Sequence, residues 1–235
     1  MASLEITWLG HSAFLVVTPA GTRMLFDPWL GNPSCPAEWA RPEAVLPLDL
    51  ILLSHGHPDH LGDTLRVARE AGAPVVCLWE IGQYFGAKGL KDVRDMGIGG
   101  TQTVAGVTVT MTQAVHSGSC TEDGRIIYMG GGAGFVLRQD GMPTIYYAGD
   151  TALFSDMKLI AELYRPEIAF LPMGDHYTMG PDTAAIAARW LGVRQVVPMH
   201  WGTFPLLTGT PAALREHLTG TGIDVLELQP GETAA

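Results

Sequence analysis

Apolar positions along this chain follow two rhythms. Residues 4–8, 13–18, 24–26, 51–53, 75–78, 144–148, 168–171 and 195–198 are short blocks that are mostly apolar, which predicts strands at or near the core. Residues 107–115 instead alternate, Val107, Val109 and Met111 against Thr108, Thr110 and Thr112, and read as a strand ending at His116 and the small residues Ser117, Gly118 and Ser119. Between the blocks the spacing changes to that of helices. Leu61, Leu65 and Ala68 predict a helix over 60–71 with Gly72 as its stop, and Met157, Ile160 and Tyr164 a helix stopped by Pro166. Pro181 opens a helix carrying Ile186 and Trp190 and ending at Gly192, and Thr210 and Pro211 open a shorter one through Leu218. Residues 225–228 close a sheet, and the proline-bearing stretch 34–48 reads as a surface connection. Strand, helix and strand over 51–78 make a βαβ unit, so the class is α/β.

Chemistry collects where these strands end. The strand at 51–53 runs into Ser54, His55, Gly56, His57, Pro58, Asp59 and His60. His55 and His57 share a side of an extended segment, while Pro58 breaks the strand and lets Asp59 and His60 turn back. Such a loop can supply ligands to two neighbouring metal ions. His116 ends the alternating strand, Asp150 follows the strand at 144–148, His176 follows the one at 168–171, and His200 the one at 195–198. Asp150 either joins a cation site or sits as a carboxylate near a helix N-terminus. His176 either meets substrate or moves a proton, or makes a structural hydrogen bond. His11, between the first two strands, is a polar turn residue or lines the site, and Asp27 orients a ligating histidine or caps its turn. Trp29 and Trp39 wall a pocket or pack in the core. His217 lies on the last helix as a surface or core residue. Ligands in open α/β sheets bind beyond the carboxyl ends of the strands, so one site is the economical explanation of this pattern.

Composition narrows the picture. The chain has 235 residues, 47% hydrophobic and 16% charged, and no linker-like run, which predicts one folded domain over 1–235. Lys and Arg number 14 against 24 Asp and Glu, a net charge of −10, with the basic residues scattered, so no nucleic-acid groove is expected. Residues 96–121 hold no charged side chain, yet their period of two marks a strand and not a membrane span. The three cysteines, Cys35, Cys77 and Cys120, are odd in number and far apart, which disfavours a disulfide framework. Cys120 is read as a free thiol before a metal ligand. The N-terminus shows no signal peptide, which makes the cytoplasm the expected location. The glycines at 130–132 and 134 precede a strand and not a helix, so they fail as a phosphate loop.

Taken together, His55, His57, Asp59 and His60 as H-x-H-x-D-H, followed by His116, Asp150 and His200, strongly resemble the metallo-β-lactamase superfamily. WLGHSAF at 8–14, AGDTALFSDM at 148–157, MGPD at 179–182 and PMHWGTFP at 198–205 resemble its compact metal-dependent hydrolase branch related to L-ascorbate-6-phosphate lactonase. The resemblance implies a four-layer αβ/βα sandwich. It implies one metal on His55, His57 and His116, a second on Asp59, His60 and His200, and Asp150 bridging them. Two divalent ions per chain are expected, zinc first and manganese or iron as alternatives. The implied chemistry is hydrolysis of a small-molecule ester or lactone by a hydroxide shared between the metals, with Asp59 or His176 carrying the proton. A phosphodiesterase of the same fold is the alternative enzyme, and a metal-binding protein without turnover the alternative outside catalysis. Oxygen-reducing di-iron relatives carry a glutamate where this chain has His57, which favours hydrolysis. A small-molecule substrate is the expected partner, with no nucleic acid and no membrane, and a homo-oligomer is left open.

Overall fold

The buried blocks become the inner strands of two sheets. The computed structural model describes residues 3–235. The first half runs β1 (Glu5–Trp8), β2 (Phe14–Val17), β3 (Arg23–Phe26), α1 (Pro42–Val45), β4 (Leu50–Leu52), α2 (Pro58–Leu61), α3 (Thr64–Ala71), β5 (Val75–Leu78), α4 (Trp79–Ala87) and β6 (Val93–Met96). The second half runs β7 (Thr101–Val104), β8 (Val107–Glu122), β9 (Arg125–Arg138), β10 (Ile145–Tyr147), α5 (Met157–Tyr164), β11 (Ile168–Pro172), α6 (Pro181–Leu191), β12 (Gln195–Met199), α7 (Pro211–His217), β13 (Asp224–Val225) and β14 (Thr233–Ala234).

Among the described residues each sheet has seven strands, in the orders β14-β1-β2-β3-β4-β5-β6 and β13-β12-β11-β10-β9-β8-β7. Both are mixed. The first is antiparallel from β14 to β3 and parallel from β3 to β6, and the second is parallel from β13 to β10 and antiparallel onward to β7. The sheets meet through aromatic side chains. Phe14 and Phe26 of the first lie 4.9 and 6.1 Å, centroid to centroid, from Phe170 of the second, and Phe26 stacks on Tyr147 at 4.8 Å. With helices on the flanks this is the αβ/βα sandwich of the metallo-β-lactamase fold. Among the described residues no helix is long and apolar enough to cross a membrane.

Several local expectations need correction. The helix expected over 60–71 is two helices, because the chain breaks at Gly62, whose φ of 36° no ordinary side chain adopts comfortably. A Cβ there would lie 2.6 Å from the Pro28 carbonyl oxygen, and Asp63 turns aside to accept the backbone N–H groups of Leu30 and Gly31. The strand expected to stop at His116 continues to Glu122, and β9 begins at Arg125, so the glycines at 130–132 and 134 lie inside a strand and not ahead of one. Ser117, Gly118 and Gly130 to Gly132 are what permit this. A Cβ on Gly118 would come within 2.9 Å of the Gly130 carbonyl oxygen, so the small residues serve close strand pairing. The connection over 34–48 contains one helical turn, α1, and the closing strand is only Asp224–Val225. Helix α4 and strands β6, β7 and β14 are features the apolar pattern did not reveal.

Candidate metal centre

His55 stands just beyond β4, after Leu53 and Ser54, and its neighbour Gly56 lies against the long hairpin, where a Cβ would sit 2.5 Å from Met129 Cβ. That crowding explains why a glycine separates His55 from His57. Pro58 starts α2 and carries Asp59 and His60 on its single turn. His116 arrives from the other sheet. In the β8–β9 ladder Ala114 pairs with Gly132 and Ser117 with Gly131, so Val115 and His116 form a bulge that re-aims the imidazole. Asp150 follows β10 and His200 follows β12. Backbone φ is positive at His11 (53°), Asp27 (40°) and His200 (55°), a conformation that costs energy in non-glycine residues and clusters at functional sites.

These residues converge. His57 Nδ1 lies 3.1 Å from His55 Nε2 and 3.2 Å from His116 Nε2. Nitrogens bound tetrahedrally to zinc at about 2.0 Å would be roughly 3.3 Å apart, so this spacing suits a cation at their centre. A second group joins His11, Asp59, His60 and His200, whose donor atoms all lie within 4.8 Å of one another. Asp150 Oδ2 stands between the two, 3.9 Å from His55 Nε2, 3.6 Å from His116 Nε2, 3.3 Å from His60 Nε2 and 3.0 Å from His200 Nε2. His60 Nε2 and Asp150 Oδ1 are buried without a hydrogen-bond partner, which is costly unless a cation takes them up. The donor set therefore fits two divalent ions.

Outer contacts aim the rings. Asp27, fully buried, accepts hydrogen bonds from His60 Nδ1 (2.7 Å), the Ser54 hydroxyl (2.6 Å), the Ser54 backbone N–H (2.7 Å) and the Tyr147 hydroxyl (2.7 Å). With its hydroxyl proton given to Asp27, Ser54 Oγ accepts from His55 Nδ1 at 2.9 Å. Both imidazoles thus turn Nε2 inward, as ligating histidines do when a carboxylate or hydroxyl holds the other nitrogen. His11 contacts Asp59 Oδ2 at 3.0 Å through Nε2 and Thr203 Oγ1 at 2.9 Å through Nδ1. Asp27 is thereby the orienting residue and not merely a turn cap, and His11 lies fully buried in the cluster. Ser54, Tyr147 and Thr203 gave no sequence signal of their own, although Ser54 stands next to the histidine motif.

Charge is balanced within the cluster. Burial lowers the pKa values of His55, His57 and His116, which stay neutral with lone pairs free, and takes His11 down to about 4. Burial would also lower His60 and His200, but Asp150, joined by Asp27 at His60 and by Asp59 at His200, outweighs it, raising His60 and bringing His200 up to about 9. Burial would raise Asp59 and Asp150, but the surrounding imidazoles hold both carboxyls below the usual range.

Above the cluster opens a cavity of about 650 Å³. His57, Asp59, His116, Asp150 and His200 form its polar floor, and Pro58, Tyr177, Phe204, Pro205 and Leu206 an apolar wall. His176 is not brought to the floor. It is exposed, with its ring edge-on to Tyr177 at 4.5 Å. Trp29 backs the wall through Phe204 at 5.9 Å, whereas Trp39 lies beside Gly231. Cys120 is a buried free thiol and His217 is exposed on α7.

Comparison with known proteins shows the family to which this fold belongs. The profile of the β-lactamase superfamily domain matches residues 22–201. The chain is 49% identical over 234 residues to a UPF0173 metal-dependent hydrolase of Koribacter versatilis, covering 99% of this chain and 98% of that protein. It is 47% identical over 230 residues to another from Solibacter usitatus, covering 97% and 98%. Among solved structures, the metallo hydrolase Igni18 of the archaeon Ignicoccus hospitalis superposes with a TM-score of 0.87 at 35% identity, covering 98% of this chain and 97% of that one. Fold, clustered donors and full-length similarity together place this chain in the UPF0173 metal-dependent hydrolase family of the metallo-β-lactamase superfamily.

Proposed function

We propose that the protein is a dinuclear hydrolase that opens a small carboxylic ester or lactone bearing an apolar group. The observation that carries this reading is the position of Asp150 Oδ2 between two sets of donors at the floor of an apolar-walled cavity. When bound, two divalent cations supply an ionised water at neutral pH and polarise the carbonyl under attack. His55, His57 and His116 would hold one cation, Asp59, His60 and His200 the other, and Asp150 both. Zinc suits this mixture of imidazole and carboxylate, with manganese or iron as alternatives.

The protein's own groups do the rest. Asp59 lines the cavity, where its carboxylate is placed to relay a proton from the attacking water to the departing alkoxide. His176, exposed beside Tyr177, is the less direct carrier. Tyr177, Phe204, Pro205 and Leu206 receive the hydrocarbon part of the substrate and exclude water from it. Among the described residues the cavity lining contains no Lys or Arg, so it offers no permanently charged side chain to a phosphate. This favours a carboxylic substrate over a phosphodiester, and over a phosphorylated lactone.

The reading is tested with protein reconstituted separately with zinc and manganese, using homologous lactones and aryl esters of increasing chain length and a set of phosphodiesters. The expected result is metal-dependent lactone or ester cleavage whose kcat/KM rises with chain length, by about tenfold for each 1.4 kcal/mol of added apolar contact. Phe204→Ala should flatten that rise. A preference for phosphodiesters, or no turnover of either class, would overturn the assignment.

A further inference from the structure

We infer that His11 is itself a ligand of the second cation, which makes the two halves of the centre unequal. This rests on the dinuclear reading above and goes beyond its three-residue second site. Thr203 Oγ1 is placed to donate to the Trp201 carbonyl oxygen at 3.4 Å, leaving its lone pairs for a donor. His11 Nδ1 lies 2.9 Å from that oxygen, which can accept the ring proton. With the proton on Nδ1, as in a ligating imidazole, Nε2 turns its lone pair toward Asp59 Oδ2 at 3.0 Å. Two electron-rich atoms at that distance need a positive charge between them, either a ring proton or a cation, and the experiment below tells the two apart. His55 and His60 show the same arrangement, Nδ1 bound to an outer oxygen and Nε2 inward.

Position agrees with this. His11 is completely buried, its ring 4.1 Å from that of His200, and its Nε2 belongs to the same compact group of donors as Asp59, His60 and His200. Donors bound at about 2.1 Å and at right angles lie roughly 3.0 Å apart, which matches the separation of His11 Nε2 from Asp59 Oδ2. The first site then has three imidazoles and the Asp150 oxygen. The second has three imidazoles, His11, His60 and His200, and two carboxylates, Asp59 and Asp150. Four donors of the first kind suit tetrahedral zinc, while five donors with two carboxylates suit a cation that takes five or six ligands, such as manganese(II) or iron(II). The two sites thereby differ in coordination number and charge.

The test is NMR of the whole protein, labelled with 15N-histidine and loaded with 113Cd, in which each ligating nitrogen is split by its cadmium. The expected result is splitting at six imidazoles, His11 Nε2 included, and at five in His11→Gln with the second cadmium resonance displaced. An unsplit His11 Nε2 that carries a proton, with the other five histidines split, overturns this inference and leaves the dinuclear reading intact. Splitting at no imidazole overturns both. Because the unsubstituted protein gives the decisive spectrum, failure of the variant to fold would not obscure the outcome.

Discussion

Asp27 shows how much of the centre depends on a residue that need not touch a cation. Its carboxylate gathers four hydrogen bonds, from two positions on Ser54 and from His60 and Tyr147, all in the dry interior. Asp27→Ala would leave those donors buried and unpaired, which costs about 3–5 kcal/mol, and would free His55 and His60 to rotate. Urea titration should show that loss, and metal affinity should fall about 10–100-fold. Unchanged affinity would mean that Asp27 does not orient the ligands. Protonation gives a second expectation at this scale. His200 gains stability from Asp150 in the metal-free protein, and a raised histidine pKa places that gain below the unfolded value of 6.5 and removes it as pH rises through about 9. His11, lowered to about 4, has the opposite sign, so stability falls as pH drops from 6.5 toward 4. Denaturation of the chelated protein should therefore show both slopes. At pH 7, cation binding should also expel protons, seen as a buffer-dependent heat in calorimetry. A heat independent of buffer would contradict the protonated state of His200.

At the scale of elements, the site depends on two close approaches. Gly56 lets the histidine loop lie on Met129 of β9, and Gly56→Ala should push His55 and His57 away from His116. The expected outcome is less than two equivalents of metal by elemental analysis, with far-UV circular dichroism nearly unchanged. Full metal content would show that the loop can shift without loss. The same closeness marks the limits of what can be read along the chain. The apolar blocks at 24–26, 51–53, 75–78 and 168–171 were legible as strands because burial on both faces leaves an uninterrupted apolar run. The ligand motif was legible because its residue types are rare together. Helix α4 was not, since its residues WEIGQYFGA mix two glycines with apolar positions and give no clear stripe. Strand β14 is two residues long and owes its existence to pairing with β1. The break at Gly62 was hidden because Leu61, Leu65 and Ala68 keep helical spacing across it. His116 was legible as a candidate ligand but not as part of a bulge, because the two-against-none count depends on the register of β9. The roles of His11 and Asp27 were open from sequence for a similar reason, since both take left-handed backbone conformations set by surrounding structure.

At the scale of the molecule, the centre is a joint between two sheets. His11, Asp27 and the loop from His55 to His60 come from the strands of the first sheet, while His116, Asp150 and His200 come from those of the second. No cation can collect these ligands in an unfolded chain, so metal binding is coupled to packing of one sheet on the other. Cations that bind only the folded state stabilise it by about 2.7 kcal/mol at a concentration of 100 times Kd. For a chain of this size each kcal/mol raises Tm by roughly 2–4 °C, so each cation at that concentration should raise it by about 5–11 °C above the chelated protein. In the proposed dinuclear centre Asp150 is shared, which makes the two contributions interdependent. In Asp150→Asn each cation loses a shared anionic oxygen, and the shift should shrink by more than half while the chelated protein remains folded. Differential scanning calorimetry of both proteins, with and without metal, reads this directly. Equal shifts in the two would mean that Asp150 does not join the sheets through the metals, and that the halves of the centre bind independently.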